Sequence, residues 1–394
     1  ARDAVNPRSL QEVTRALGRL GGDDEIPVLA ETVARNLDPK SGNLFLAEAC
    51  VEALGRIGSS AAEQALLGLI PQLPPYHEHC HWYGDHEALI ACHAAPVHAR
   101  IVEALDSIGS TAAGPHVPAL IRMVPTDPDR ALFPGSDDVE TLTGRVIRRS
   151  GRADELIETC LHVLGDPQAG HDPDLRAALG DVHEAWAGPP GAEIRAAQVL
   201  SLVARDPSFE SRIRAAFERC RALPSRIARV YDTGIPVVNE LPVRHWTSFY
   251  LARTLGQIAS VESVASLRGA LDDFPAEAAS GRPDPLGPGV HFLHNDLTPC
   301  WRAAAAWALG RIGDPSATPS LLAVIEDPDN ALDTRHAAAV ALGRTADASL
   351  LPGMRDLAAK TPEVSVRHAL LESCAAVAST YGPISPCRPF KDRE

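Results

Sequence analysis

Apolar residues recur along the chain at helical spacing, and one short segment ends several of these stretches. Ala-Leu-Gly-Arg-Ile-Gly at 308–313 has counterparts at 16–21, 53–58, 104–109, 254–259 and 341–344. The anchoring leucines lie at 17, 54, 105, 255, 309 and 342, so a period in the thirties is stretched by insertions. Arg195–Arg205 and Leu156–Leu164 are weaker candidate copies. Self-similarity of this kind predicts a repeat array.

Each copy predicts two helices joined by a short turn. Cys300–Leu309 is rich in alanine, Gly310 and Gly313 close the helix, and Asp314 with Pro315 starts the next one. Apolar residues between Leu321 and Ile325 supply the buried face of that second helix. A hairpin of this kind leaves one face uncovered and must stack on its neighbours, so we predict an all-α superhelix, an alpha solenoid.

We predict a single solenoid over residues 1–394, with about nine helix hairpins and two long insertions. The predicted repeats cover about 7–70, 96–126, 152–220, 244–272 and 298–380. The predicted insertions cover about 71–96 and 274–299, and a proline-rich tail covers 382–394.

The string at 308–315, Ala-Leu-Gly-Arg-Ile-Gly-Asp-Pro, with its alanine-rich lead-in from Arg302, resembles a HEAT-like repeat of the phycobilisome-lyase type. The resemblance implies an armadillo-like stack of helix pairs with a long concave surface. Such repeats resemble those of scaffolds, bilin lyases, a protein hydroxylase and DNA glycosylases. The resemblance therefore implies the fold and leaves the function open.

Composition narrows the function further. The net charge of −14 excludes a general nucleic-acid-binding surface, which would need a surplus of Lys and Arg. Aromatic residues make up 5%, which suits closely packed helices of Ala and Leu. No run of 18 apolar residues occurs, so we expect no transmembrane segment. The sequence leaves open whether the protein is cytoplasmic or exported.

One stretch is basic within this acidic chain. Residues 205–229 hold seven Arg against three acidic residues, a local charge of +4. Pro207 and Pro224 confine any helix to the middle of the stretch, so Arg212 and Arg219 should share a helical face. The stretch is suited to an acidic or phosphorylated partner, and a solvated face with local ion pairs is the alternative. The predicted partner-binding residues are Arg205, Arg212, Arg214, Arg219, Arg221 and Arg226.

The first insertion is rich in potential metal ligands, with six histidines between residues 77 and 98. Imidazole, thiol and carboxylate groups in one segment suit a transition metal, Zn or Fe, or a haem. His291 and His294 of the second insertion would complete such a site if the fold brings them close. The alternative is an ordered loop whose histidines make ordinary hydrogen bonds. The candidate ligands are His77, His79, Cys80, His81, His86, Cys92, His93, His291 and His294.

The cysteines divide into two groups. Cys50, Cys160, Cys220 and Cys374 lie among apolar helical positions, where a buried thiol is expected. Cys80 with Cys92, and Cys374 with Cys387, are pairs that an oxidising compartment would allow to form disulfides.

Two segments 32 residues apart, at 335–337 and 367–369, both read Arg-His-Ala. Their arrangement is similar to deoxyhypusine hydroxylase, whose repeats place His-Glu pairs at such positions to hold two irons. Here Ala337 and Ala369 stand where that resemblance requires Glu, so we expect two helix-packing histidines instead.

No motif for nucleophilic catalysis or phosphate binding accompanies the repeats: Gly-x-Ser-x-Gly, Ser-x-x-Lys and a phosphate-binding Gly-rich loop are all missing from the sequence. We therefore predict a non-enzymatic scaffold or adaptor that holds a protein or peptide on its concave face, without a cofactor. The alternative is a metal- or haem-binding repeat protein, with an enzyme among its possibilities, whose site lies in the insertion at 77–98.

Overall fold

The computed structural model describes nine segments of the chain, which together contain eighteen α-helices and one pair of β-strands. The described segments are 7–37, 43–73, 86–124, 139–166, 168–180, 189–222, 227–231, 238–272 and 301–381.

The helices fall into two groups by their place in the repeat. Leading helices carry the repeated segment or its equivalent: α1 (Pro7–Leu20), α3 (Leu44–Ile57), α5 (His86–Ile108), α7 (Val139–Arg149), α10 (Pro189–Val203), α12 (Val243–Ile258), α14 (Trp301–Ile312), α16 (Leu332–Thr345) and α18 (Val364–Tyr381). Trailing helices follow them: α2 (Ile26–Asn36), α4 (Ser60–Leu69), α6 (Val117–Arg122), α8 (Ala153–Gly165), α9 (Pro173–Ala178), α11 (Glu210–Ala222), α13 (Val264–Asp272), α15 (Thr318–Glu326) and α17 (Leu351–Lys360).

The repeated segment has the predicted structural role. Its final glycine ends the leading helix in the left-handed region, at φ 65° for Gly58, 76° for Gly109 and 74° for Gly313. Because only glycine adopts this conformation without strain, the chain reverses there and enters the trailing helix within a few residues. The predictions of an all-α fold and of stacked helix hairpins are confirmed.

The inner glycine of the segment sets the distance between neighbouring leading helices. A Cβ added at Gly310 would lie 2.7 Å from Ala341 Cα, and one at Gly256 would lie 2.6 Å from Ala308 Cα. These distances are too short for any real side-chain contact, so α12, α14 and α16 pack backbone against backbone. Close packing of this kind explains why Ala and Leu replace aromatic residues in the core.

The chain divides into two compact units. Unit 1 comprises residues 1–204 and 226–243, and unit 2 comprises residues 205–225 and 244–394. In unit 1 the leading helices α1, α3, α5 and α7 stack in order, and α10 packs on α7 and α8. In unit 2 the leading helices α12, α14, α16 and α18 stack in order. The single solenoid over the full length stays a prediction.

Three local features differ from the sequence predictions. Helix α5 begins at His86 and contains Pro96, so the first insertion ends earlier than predicted. The alanine-rich run before Pro96 favours a helix, and this propensity outweighs the one backbone hydrogen bond that proline removes. Helix α7 was missed because it lacks Ala-Leu-Gly, although Gly151 ends it at φ 74°. The candidate copy Leu156–Leu164 lies in α8, the trailing helix of that hairpin.

The third difference is a two-stranded antiparallel ribbon, β1 (Ile227–Tyr231) with β2 (Val238–Pro242), in unit 1. Arg229 pairs with Glu240 in its register. Isoleucine, valine and tyrosine favour extended backbone, and Gly234 lies in the connection between the strands.

None of the helices in the described segments combines the length and the apolar character that a membrane span requires.

The four cysteines predicted as buried thiols are buried. Burial raises the pKa of the Cys50 thiol to about 11, and it raises the pKa values of Cys160 and Cys374 as well. These thiols are therefore protonated and unreactive near neutral pH. Cys80 and Cys387 lie outside the described residues, so the two disulfide pairings stay predictions.

Candidate functional site

Helix α11 carries most of the basic stretch, and it runs between Pro207 and Pro224 as predicted. Arg212 and Arg219 are both exposed on it. They lie two helical turns apart, about 10 Å along the axis, and therefore project from the same face. The expectation that these two arginines share a face is confirmed.

The other two arginines of α11 are held inside unit 2. Arg214 Nε donates to Glu210 Oε1 at 2.9 Å, and Glu210 itself is buried. Arg221 Nη1 donates to the Ser266 carbonyl of α13 at 3.0 Å, and its guanidinium lies 5.3 Å from the Phe217 ring centroid. Arg221 thus joins α11 to α13, and Arg214 bonds within α11 to the buried Glu210, whereas Arg212 and Arg219 are exposed.

The predicted partner-binding set is therefore only partly brought together. Arg205 is half-buried just before α11. Arg226 lies outside the described residues, so its place in the set stays a prediction. Within α11 four arginines face two glutamates, which leaves a local charge of +2 in a chain whose total charge is −14.

A second set of arginines occupies one position of the repeat, seven residues before the anchoring residue. In α14 this is Arg302, whose Nε donates to the Leu271 carbonyl at 2.9 Å. In α16 it is Arg335, whose Nε donates to the Ile325 carbonyl at 3.1 Å. Both carbonyls lie in the last turn of the preceding trailing helix, where no helical partner remains for them. We call this place the arginine position.

Two further repeats use the arginine position in the same way. Arg195 Nε donates to the carbonyl of Leu179, just after α9, at 3.3 Å. Arg367 Nη1 donates to the carbonyl of Thr361, just after α17, at 3.3 Å. Sequence reasoning missed this role because the acceptors are main-chain atoms of another helix. The signal available was the recurrence of Arg-Ala or Arg-His at a fixed distance before the anchor.

Arg335 also forms a hydrogen bond to the next repeat. Its Nη1 donates to Glu363 Oε1 at 2.8 Å, and this hydrogen bond lowers the pKa of the Glu363 carboxyl. The side chain of Arg335 is 7% exposed and that of Glu363 is 32% exposed. Arg335 therefore joins α15, α16 and the start of α18 through one guanidinium.

In α5 the arginine position is occupied by His98. Its side chain is 2% exposed, and neither ring nitrogen has a hydrogen-bond partner. Burial without a partner lowers the pKa of His98 to about 4. The ring is therefore neutral at physiological pH and packs as an apolar group beside Val97 and Ile101.

The candidate metal ligands are not tested by the structure. His77, His79, Cys80, His81, His291 and His294 lie outside the described residues. His86, Cys92 and His93 lie on α5, and their side chains are not described. Across the described segments, no three His, Cys, Asp or Glu side chains come together as a metal site. The metal or haem site in this insertion stays a prediction.

Comparison with known families and structures bears on the repeat. The family of HEAT repeats matches residues 290–375, which include α14, α15, α16, α17 and part of α18. The chain is a HEAT-like repeat protein. No curated protein matches it. The phycobilisome-lyase type of HEAT-like repeat stays a prediction.

Human deoxyhypusine hydroxylase, solved in complex with glycerol, matches at 15% identity over 92% of this chain and 99% of its own, with a TM-score of 0.29. With so low an identity and TM-score, the match is no basis for assigning the hydroxylase activity to this HEAT-like repeat protein. The histidines of the two Arg-His-Ala segments, His336 and His368, differ in their exposure to solvent. His336 is half-buried, whereas His368 is exposed, with its Nδ1 3.5 Å from Glu372 Oε1. The expectation that His368 packs between helices is therefore wrong.

Proposed function

We propose that this HEAT-like repeat protein is a non-enzymatic binding protein that holds an acidic segment of a partner protein against the exposed arginines of α11. The observation that carries the proposal is the exposure of Arg212 and Arg219 on one face of α11.

The electrostatic setting supports the same conclusion. A chain of net charge −14 repels acidic segments over most of its surface, so a local positive face selects where they bind. Guanidinium groups bind carboxylates and phosphates through two parallel N–H donors, which adds geometric selectivity. The spacing of about 10 Å between Arg212 and Arg219 matches acidic side chains that lie a few residues apart on an extended segment.

The rigid support of the face is the second favourable feature. The Arg221 hydrogen bond to α13 and the buried Glu210 fix the rotation of α11. An exposed pair on a fixed helix loses less conformational freedom on binding than a pair on a mobile loop. Phosphorylated segments share the chemistry of acidic ones and are included in the test as a second arm.

The test is fluorescence anisotropy with a labelled oligoglutamate peptide, and with a phosphoserine peptide of equal length. In the doubly substituted chain Arg212→Glu, Arg219→Glu we expect affinity for both peptides to fall about tenfold or more, because two favourable contacts become repulsive. The matched control is Arg311→Glu, Arg344→Glu, which changes the same charge at two exposed arginines of α14 and α16.

Loss of affinity in the α11 variant alone supports the proposal. Equal loss in both variants would mean that only the net charge of the protein matters. Unchanged affinity in the α11 variant would overturn the proposed binding face.

A metal- or haem-binding function at the insertion is the second candidate, and it is favoured by the six histidines between residues 77 and 98. Elemental analysis and an absorption spectrum of protein purified without added metal test it. Stoichiometric metal, or a Soret band, that disappears in His79→Ala, His81→Ala would support it. Protein without either would overturn it.

A further inference from the structure

Two neighbouring leading helices of unit 2, α12 and α14, contain no carboxylate. Their sequences hold no Asp or Glu and four arginines, at 244, 253, 302 and 311. A local charge of +4 on adjoining helices is unusual in a chain of net charge −14. Each of these guanidinium groups needs an acceptor if it is buried.

The helices begin side by side. Gly256 of α12 contacts Ala308 of α14 near their C-terminal ends, and Arg244 contacts Trp301 at their N-terminal ends. The two helices therefore run parallel, and both N-termini lie at the same edge of unit 2. Unbonded N–H groups and the helix dipoles make such an edge electropositive.

Arg244 and His245 of α12 contact Trp301 of α14 at this edge. The Arg244 guanidinium lies 5.1 Å from the Trp301 ring centroid, and the His245 ring lies 4.5 Å from it, edge to face. Ser248 follows Arg244 by one helical turn, so it lies on the same side of α12. Ser248 is fully buried and Trp301 is 4% exposed.

The polar atoms of this cluster lack acceptors. Arg244 Nε, Ser248 Oγ and Trp301 Nε1 are buried and make no hydrogen bond. The neighbouring Arg302 differs, because its guanidinium donates to the Leu271 carbonyl. A buried donor without an acceptor costs about 1–3 kcal/mol, so three together call for a physical explanation.

We propose that this cluster binds an oxyanion, the carboxylate or phosphate group of a small ligand. An oxyanion is acceptor-only, so one group supplies partners to the guanidinium, the hydroxyl and the indole N–H at once. It also balances the charge of Arg244 and is favoured by the two helix N-termini. The ring of Trp301 shields the contact from water on one side.

The chain contains a matched counterpart of the pair. Arg311 lies over the Trp307 ring at 5.9 Å in α14, but Arg311 is exposed to solvent. Water supplies acceptors there, so this second pair needs no ligand. It has the same chemistry as Arg244 and Trp301 and differs in burial, which makes it the natural control.

The test follows the indole N–H signals of the five tryptophans by NMR during titration with inorganic phosphate, and separately with acetate. Chloride keeps the ionic strength constant. The Trp301 signal is assigned by its loss in Trp301→Phe. We expect it to shift and saturate with one of the two anions, while the Trp307 signal stays fixed. The anion that saturates identifies the class of ligand.

Arg244→Gln should weaken the saturating response about tenfold or more, and Arg311→Gln should leave it unchanged. If Arg244→Gln does not fold, Trp301→Phe serves instead, since it keeps an aromatic ring at this position and removes the indole N–H donor. Anion-dependent thermal stabilisation should then be smaller in that variant than in the parent protein. No saturable shift with either anion, or an equal response in Arg244→Gln, would overturn the proposal.

Discussion

Two populations of arginines in unit 2 differ in what surrounds them. Arg302 and Arg335 are buried at the arginine position and donate to main-chain carbonyls of the preceding helix. Arg212 and Arg219 lie outside the repeat pattern and are exposed. Arginine thus bonds to main-chain carbonyls in the interior at one place and is exposed on the surface at another. Composition alone cannot distinguish these roles, whereas position in the repeat can.

The largest expected effect concerns the buried population. Arg335→Ala removes the donors to the Ile325 carbonyl and to Glu363, and leaves a buried acceptor without a partner. We expect a loss of about 3 kcal/mol in the free energy of unfolding. Arg219→Ala should change it by less than about 0.5 kcal/mol. Chemical denaturation of both variants measures the difference. Equal losses in the free energy of unfolding would contradict the distinction between the two populations.

The close packing of leading helices gives the next effect. Gly310→Ala places a methyl group 2.7 Å from Ala341 Cα, so α14 and α16 must separate. We expect a loss of about 2 kcal/mol. Gly353→Ala is the control, because Gly353 lies on α17 with no atom within 4 Å of an added Cβ. That variant should be more stable by about 0.5 kcal/mol. Thermal unfolding compares the two variants. Unchanged stability of Gly310→Ala would show that α14 and α16 can separate at little cost in the free energy of unfolding.

His98 sharpens the comparison, because it occupies the arginine position without any hydrogen bond. Its pKa is lowered from 6.5 to about 4, so the unfolded chain binds a proton more strongly than the folded one. Stability from this group is present above pH 6.5 and is lost as the pH falls toward 4. Between pH 6.5 and about 5 the loss is on the order of 1–2 kcal/mol.

Denaturation curves at several pH values test this expectation. In His98→Leu the contribution of His98 to the acid-dependent loss should disappear, while the carboxylates of the chain continue to titrate. An identical pH dependence in the parent chain and the variant would show that folding does not lower the pKa of His98.

The smallest expected effect lies in the exposed population. Arg212→Gln, Arg219→Gln should leave the free energy of unfolding within about 0.5 kcal/mol of the parent value. A larger loss, measured by the same denaturation, would place these arginines among those that hold the fold.

Much of the fold was predictable because the repeated segment is local. Gly58, Gly109 and Gly313 mark the end of a leading helix by backbone conformation alone, so their spacing reveals the hairpins. Helix α7 was not predicted, because its equivalent of the repeated segment keeps only the closing glycine, Gly151. The β-ribbon was not predicted, because it lies between the predicted repeats at 152–220 and 244–272, where no copy of the repeated segment occurs.

The candidate sites were less predictable, because they depend on contacts between distant residues. Arg244 and Trp301 are 57 positions apart, and only the stacking of α12 on α14 brings them together. The spacing of Arg212 and Arg219 was readable from the sequence. The engagement of Arg221 with the Ser266 carbonyl was not, because it required the packing of α11 against α13.

The central claim is that the arginines at the arginine position hold the fold and that the exposed arginines of α11 bind the partner. One paired measurement tests it: oligoglutamate affinity and thermal stability on the same samples of Arg335→Gln and of Arg212→Gln, Arg219→Gln. We predict a crossed result, in which the first variant loses stability and keeps affinity, and the second loses affinity and keeps stability. If both variants lose affinity, or both lose stability, the account is contradicted.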